Sequence, residues 1–449
     1  MSESNSAILY ISGRLPARSE TFVYREVFAL RERGTQVLCA SVHEPERDLG
    51  EPRLDALAGE VIGVYGPGAG RLLKDAAREC AAHPVRSAGA LWGTLVDAAL
   101  EPDCSVARRP KLFWQTIAGL ALARRLRGRG VGHIHAHMAH VPTTIAMRTA
   151  RQLGIGFSFS GHASDIFPQR TLLRAKLRRA AFTACISLWH RELYMSLARD
   201  VSAEKLPVVR CGVDLPEQVE RAEAGGAPIV MGVGRLIPKK GFDVLLEALA
   251  TLKERGVEAR CVIVGDGSEM ARLRAQVERL GLGDRVELKG ALSNIETRRL
   301  LGKATVFALP CRVDEKGGGD RDGIPVALME AMAAGVCVVS GAVTPIDELV
   351  RDGETGVMTK PGDGPGLART LEELLTDHDR REELASRGRA WVHEEFSQET
   401  NIQRLEAALA RVGAIPAVDS RRETACGLDS DGAGSRSEGA PSPVGGTAR

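Results

Sequence analysis

Two carboxylates with seven residues between them carry the first chemical signal in the chain. Asp322 and Glu330 enclose Gly-Ile-Pro-Val-Ala-Leu-Met, and Ala-Met-Ala-Ala-Gly follows to Gly335. Between Pro325 and Ala334 the only ionisable side chain is Glu330. The stretch reads as a buried helix between β-like runs at 306–310 and 336–340, with Pro325 suited to its first position and Gly335 to its stop. A buried carboxylate needs a partner. Helical side chains lean toward the N-terminus, so Glu330 can reach the mouth formed by Asp322 and Gly323. Free N–H groups and the positive end of the helix dipole suit that mouth to phosphate. Carboxylates suit sugar hydroxyls, because they accept hydrogen bonds strongly. The stretch therefore fits a seat for a nucleotide sugar. In the plainer reading, Asp322 only caps the helix and Glu330 pairs with a buried arginine.

A second cluster of chemistry lies earlier. Gly234-Arg-Leu-Ile-Pro-Lys-Lys-Gly241 follows an apolar run at 229–233, placing Arg235 and Lys240 on a loop at a strand end. His133-Ile-His-Ala-His-Met-Ala-His140 on a strand puts alternate imidazoles on one face, a pattern that can hold a metal. The other six of the ten histidines are scattered, which weakens that reading. His162 ends a strand-like run at 157–162, where open α/β sheets place their ligands.

Alternating strands and helices in two halves position these groups, as in an α/β protein with parallel sheets. A β–loop–α–β unit opens the chain: a strand at 7–12 ended by Gly13, a loop with Ser19 and Glu20, a helix at about 21–33 and a strand at 36–42. Residues 66–130 read as mainly helical, interrupted at Pro84, Pro102 and Pro110. We expect a first domain at 1–214, a linker at 215–227, a second domain at 228–378, helices crossing back at 379–412 and a disordered tail at 413–449.

The spacing from Asp322 to Glu330 with its Ala-Met-Ala-Ala-Gly resembles the signature of retaining glycosyltransferases of family four, which have the GT-B fold. One departure is Asp322, where that family more often has Glu. Gly234-Arg-Leu and Lys240-Gly are similar to the family's diphosphate loop, and Gly161-His-Ala-Ser-Asp165 to its histidine loop beside the donor's anomeric carbon. His135-Ala-His137 resembles its strand end, and Pro16 with Ser19-Glu-Thr-Phe22 resembles the opening of its bacterial exopolysaccharide branch. The resemblance covers about residues 7–412. It implies two Rossmann-like domains facing across a cleft and transfer of a sugar from a nucleotide-diphosphate sugar to a hydroxyl acceptor with retention. It further implies His162 and Asp322 at the reacting centre. Arg235, Lys240, Gly323, Ile324 and Glu330 would hold the donor, and Gly13, Ser19, Glu20, His137 and Asp165 would form the acceptor side. No metal or other cofactor is implied.

Two other readings stay open. One is a metal-dependent enzyme using Asp320 and Asp322, or the imidazoles from His133 to His140. The other is a non-catalytic protein that binds a nucleotide sugar. A dehydrogenase is disfavoured, because no G-x-G-x-x-G follows the first strand. A net charge of +2 and 4% aromatic residues argue against a nucleic-acid partner. Scattered cysteines, an N-terminus without a basic and apolar leader, and no apolar run of about 20 residues lead us to expect a cytoplasmic protein. The basic stretches Arg124-Arg-Leu-Arg127 and 170–179 raise contact with an anionic membrane or a lipid-linked acceptor.

Overall fold

The computed structural model describes residues 6–18, 20–101, 106–162, 170–216 and 226–416. Two parallel sheets organise it. The first contains β1 (Ala7–Ser12), β2 (Val37–Ser41), β3 (Ile62–Gly63), β4 (Val131–His137), β5 (Gly156–Gly161) and β6 (Thr183–Cys185), in the order β3-β2-β1-β4-β5-β6. The second contains β7 (Ile229–Val233), β8 (Arg260–Val264), β9 (Val286–Gly290), β10 (Val306–Leu309), β11 (Cys337–Gly341) and β12 (Val357–Thr359), in the order β12-β11-β10-β7-β8-β9. Counted within its own half, each sheet runs 3-2-1-4-5-6. The order reverses between the first and fourth strands, and that switch opens a crevice at the strand ends. Apolar runs such as Ile-Val-Met-Gly-Val and Val-Phe-Ala-Leu form central strands because both faces are covered.

Proline and glycine set the helix bounds. Pro84 and Pro110 begin the helices Pro84–Leu100 and Arg109–Leu126 instead of interrupting one, since a first-turn N–H has no partner to lose. Pro325 stands one residue before the helix Val326–Ala333. Gly335 ends that helix with φ +70°; its N–H donates to Met332 O, and Val336 N–H donates to Ala331 O.

The two halves touch through specific polar contacts. Glu348 of the second caps the helix Leu188–Leu197 of the first, taking the N–H groups of Leu188 and Trp189 at 2.9 Å each, and pairs with Arg210 at 2.7 Å. The helix Gln398–Arg411 returns to lie against the helix Thr21–Glu32, where Arg33 binds Glu406 at 2.8 Å and Glu399 at 3.1 Å. Packed structure runs past 413, the expected start of the tail. Ala414 is buried and Ile415 packs on the core, while residues 417–449 and 217–225 lie outside the described residues.

Several cations of the basic stretches are engaged by protein groups. In the helix Leu173–Arg179, Lys176 is fully buried on the carbonyls of Ala139, His140 and Thr171, Arg178 pairs with Asp200, and Arg179 pairs with Asp97. Arg125 binds Asp75 and Arg127 binds Glu79. Unmatched backbone oxygens and carboxylates draw these groups inward. Among the described residues, no helix is long and apolar enough to cross a membrane.

Candidate active site

The crevice between the halves is a cavity of about 550 Å³. Glu20, Phe22 and His162 line it from the first half; Arg235, Lys240, Asp322, Gly323, Ile324 and Glu330 line it from the second. Eight of the sequence-derived site residues thus share one wall system. Ser19 and Asp165 lie outside the described residues. Gly13 ends β1 with its carbonyl on His43 N–H, and His137 is buried behind His162; neither lines the cavity.

On the second half, backbone geometry makes an anion seat. Leu328 and Met329 N–H both turn to Pro325 O. Among the described residues, nothing accepts the N–H groups of Gly323, Ile324, Val326 and Ala327, all four of which line the cavity. The loop after β7 is held close by Gly265, at φ +141°, where any Cβ would collide with Gly234 O. That packing fixes the exposed Arg235 beside the buried Lys240.

Asp322 anchors the lysines. Its Oδ2 lies 3.0 Å from Lys240 Nζ and accepts from Cys311 Sγ at 3.4 Å, while Oδ1 is 3.7 Å from Lys239 Nζ. Lys239 also reaches Asp320 at 3.1 Å. Burial alone would raise the Asp322 carboxyl; Lys240 and Lys239 outweigh it and hold the group below its usual range. Burial likewise works against a charged Lys240, and Asp322 outweighs it, leaving the ammonium above its usual range. The proposed Asp-x-Asp ion clamp therefore has Lys239 lying across both carboxylates. Glu330 accepts from Arg25 Nη2 at 2.8 Å, and Arg25 is buried and 3.6 Å from Asp214. The plainer reading of Glu330 and its place on the cavity wall hold together: one oxygen faces a buried arginine from the other half.

On the first half, His133, His135 and His137 share one face of β4, as alternation requires. His133 Nε2 and His135 Nδ1 both meet Ser158 Oγ at 2.8 Å, and His135 Nε2 meets Ser160 Oγ at 3.2 Å. His137 Nε2 donates to Glu26 Oε2 at 3.0 Å, and Glu26 also accepts from Tyr10 Oη at 3.3 Å. In the neutral ring His137 Nδ1 is then an acceptor, so His162 Nε2 donates to it at 3.2 Å. Burial, reinforced by neighbouring imidazoles, pushes His162 and His135 well below the ordinary histidine range. Donor atoms of Glu26, His135 and His137 lie within 4.8 Å of one another, close enough for a metal. That cluster sits beneath His162 and away from the cavity. Glu20, which accepts from Ser12 Oγ at 3.0 Å, is raised by burial against that hydrogen bond.

Over 416 residues the chain is 30% identical to a Salmonella typhimurium protein named as a colanic acid biosynthesis glycosyltransferase, WcaL; the match covers 89% of this chain and 98% of that one. The chain belongs to the group 1 glycosyl transferases. Residues 216–391 match that family, described as Glycosyl transferases group 1. The amylovoran biosynthesis glycosyltransferase AmsK of Erwinia amylovora is 35% identical over 228 residues, half of this chain and 54% of that one. Among solved structures, Anabaena HepE in complex with UDP superposes with a TM-score of 0.65 at 18% identity, covering 90% of this chain and all of HepE. The lipopolysaccharide outer core galactosyltransferase WaaB, in its apo form, gives 0.61 at 15% identity, covering 90% of this chain and 99% of WaaB. The fold of this glycosyl transferase is thus the GT-B type, two facing parallel-sheet domains.

Sequence reasoning missed Arg25, Glu26 and Lys239. Arg25 and Glu26 interrupt the mostly apolar first two turns, Thr-Phe-Val-Tyr-Arg-Glu-Val-Phe, and both are buried. A charged pair inside such a run was the available signal. Lys239 gave none, because in the short turn Pro238–Lys240 both lysines are buried.

Proposed function

We propose that this glycosyl transferase moves a sugar from a nucleotide-diphosphate sugar to a hydroxyl acceptor, a glycan, lipid-linked glycan or small metabolite, with retention of anomeric configuration. The observation that carries the reading is the juxtaposition on one cavity of Arg235, Lys240 and four unengaged N–H groups, facing His162. The donor diphosphate sits at the helix mouth on Gly323 and Ile324. Arg235 supplies forked hydrogen bonds and Lys240 a point charge as the leaving group's charge grows. Asp322 keeps Lys240 in place through Oδ2 and takes a sugar hydroxyl on Oδ1. Glu330, fixed by Arg25 on Oε1, takes a donor hydroxyl on Oε2. His162 bears on the sugar, and Glu20, with Ser19, Asp165 and Gly13 around it, forms the acceptor side. His137 acts from behind His162.

The occupied state of Asp322 and Glu330, each already holding a cation and so a poor nucleophile, favours a front-face route to retention over a two-step displacement through an enzyme-bound sugar. The leaving phosphate oxygen then takes the acceptor's proton on the face the acceptor attacks, and the new bond forms as the old one breaks. Relatives named for GDP-mannose and neighbours bound to UDP share the diphosphate, the group this seat is built for. Protein cations here stand where another enzyme would use a metal. Donor turnover should persist after exhaustive chelation and fall about a hundredfold or more in Lys240→Ala. The product's anomeric proton coupling should match the donor's. Loss on chelation with rescue by a divalent ion, beside a nearly silent Lys240→Ala, would overturn the mechanism; an inverted product would overturn retention.

A further inference from the structure

The helix Pro84–Leu100 is built inside out. Its buried side is small and polar: Ser87, Ala90, Gly93, Thr94, Asp97 and Ala98. Its outward side is large and apolar, with Val85 85%, Trp92 66%, Leu95 49% and Leu100 74% exposed. A helix serving only to cover a core has the opposite polarity. Specific bonds hold this orientation. Asp97 meets Arg148 and Arg179 at 2.6 Å each, Thr94 Oγ1 meets Thr116 Oγ1 at 2.7 Å, and Gln152 donates to Ser87 Oγ at 3.1 Å. A Cβ at Gly93 would collide with the Arg151 guanidinium, so a larger residue cannot turn inward there. No ionisable residue occurs between Ser87 and Val96.

The apolar surface extends beyond one helix. Eight of the eleven exposed large apolar side chains among the described residues fall between Leu73 and Trp114, which makes a patch of them and not a scatter. Leu73 belongs to the helix Ala69–Ala82 and Trp114 to Arg109–Leu126, both packed against Pro84–Leu100. Those flanking helices also expose Arg71, Lys74, Arg78 and Lys111, and among the described residues none of these four is in an ion pair. Three acids of these helices are spent inside: Asp75 on Arg125, Glu79 on Arg127 and Asp97 on Arg148 and Arg179.

We propose that this face docks on an anionic lipid bilayer, seating Trp92, Leu95 and Val85 at the acyl boundary with the lysines and arginines among the headgroups. Tryptophan favours that boundary, and each rim cation gains from an anionic surface. A second copy meeting the face about a twofold axis would set like charges together without neutralising them. None of these residues lines the cavity, so the docking face is separable from transfer chemistry.

The test is flotation of the full chain with vesicles of phosphatidylcholine alone or with about 30% phosphatidylglycerol. The wild type should float with the anionic vesicles, stay behind with the neutral ones, and be released by about 0.5 M salt. Trp92→Ser with Leu95→Ser, and separately Arg71→Glu with Lys74→Glu, should each weaken binding about tenfold or more while the melting temperature holds. Equal flotation with both vesicle types, or none with either, overturns the proposal. So does an oligomer in sedimentation that Trp92→Ser with Leu95→Ser dissociates while vesicle binding is unchanged, since a second copy would then be the occupant.

Discussion

The two halves have the same strand order and different interiors. In the second half, the buried charges lie at strand ends: Lys239 and Lys240 after β7, and Asp322 after β10. In the first, polar groups run through the core, from Tyr10 and Glu26 through His137 to His162, with Ser158 and Ser160 bridging His133 and His135. The fold dictates where a site opens and leaves open what builds it. One half offers backbone N–H groups and fixed cations to the cavity; the other presents a single imidazole backed by a buried relay.

Acid should separate the halves most. Burial keeps His133 and His140 neutral in the folded chain down to about 4 and His190 down to about 3, whereas the ordinary value is 6.5. Between those limits the unfolded chain binds more protons, so stability falls as pH falls. By pH 5 each ring costs about 2 kcal/mol. The second half has no histidine from 228 to 377. Its depressed carboxylate Asp322 contributes stability above the unfolded value near 3.8 that is lost only below it. Melting temperature should drop from pH 6.5 to 5, and peptide-resolved hydrogen exchange should show the first half opening first. A flat melting temperature, or earlier opening of the second half, would break the contrast.

Next in size is Arg25→Ala, which leaves Glu330 without its partner from the other half. Urea unfolding should show a loss of about 3 kcal/mol, as for other broken buried pairs. A change below about 0.5 kcal/mol would mean that the contact is surface-like. Glu26→Gln sharpens the relay: the amide no longer fixes His137 as a donor, so His162 loses a defined tautomer. We expect turnover to fall about tenfold, with a shifted acid limb in its pH profile and partial rescue by Glu26→Asp. An unshifted profile would reduce Glu26 to packing. The smallest effect should come from deleting residues 417–449, whose Gly, Ser and Pro-rich sequence lacks core-forming periodicity. Unfolding midpoint and turnover should match the full chain, and a lower midpoint would show that those residues pack.

The second-half wall of the cavity was legible because its parts are contiguous. Seven residues separate Asp322 from Glu330, and Arg235 and Lys240 share one loop. Strands at 7–12 and 229–233 followed from apolar runs. What stayed hidden depends on contacts distant in sequence. Arg25 and Glu330 are 305 positions apart, and Glu26 and His137 are 111 apart. The basic run ending at Arg179 misled for the same reason: the carbonyls holding Lys176 and the Asp97 holding Arg179 come from other segments. Charge pattern alone cannot tell a solvated cation from one clasped by a neighbour.

The returning helix gives the fold a schedule. Arg33 is synthesised early, and its partner Glu406 emerges 373 residues later. At ~5–20 residues per second, that interval is on the order of 20–75 s. Throughout it, the flank of the helix Thr21–Glu32 that Gln398–Arg411 covers has no cover. The first half can assemble its sheet at once, but it is sealed only after the second half has been made. A ribosome that stalls within the second half releases a first domain with that flank bare, a substrate for chaperones and proteases.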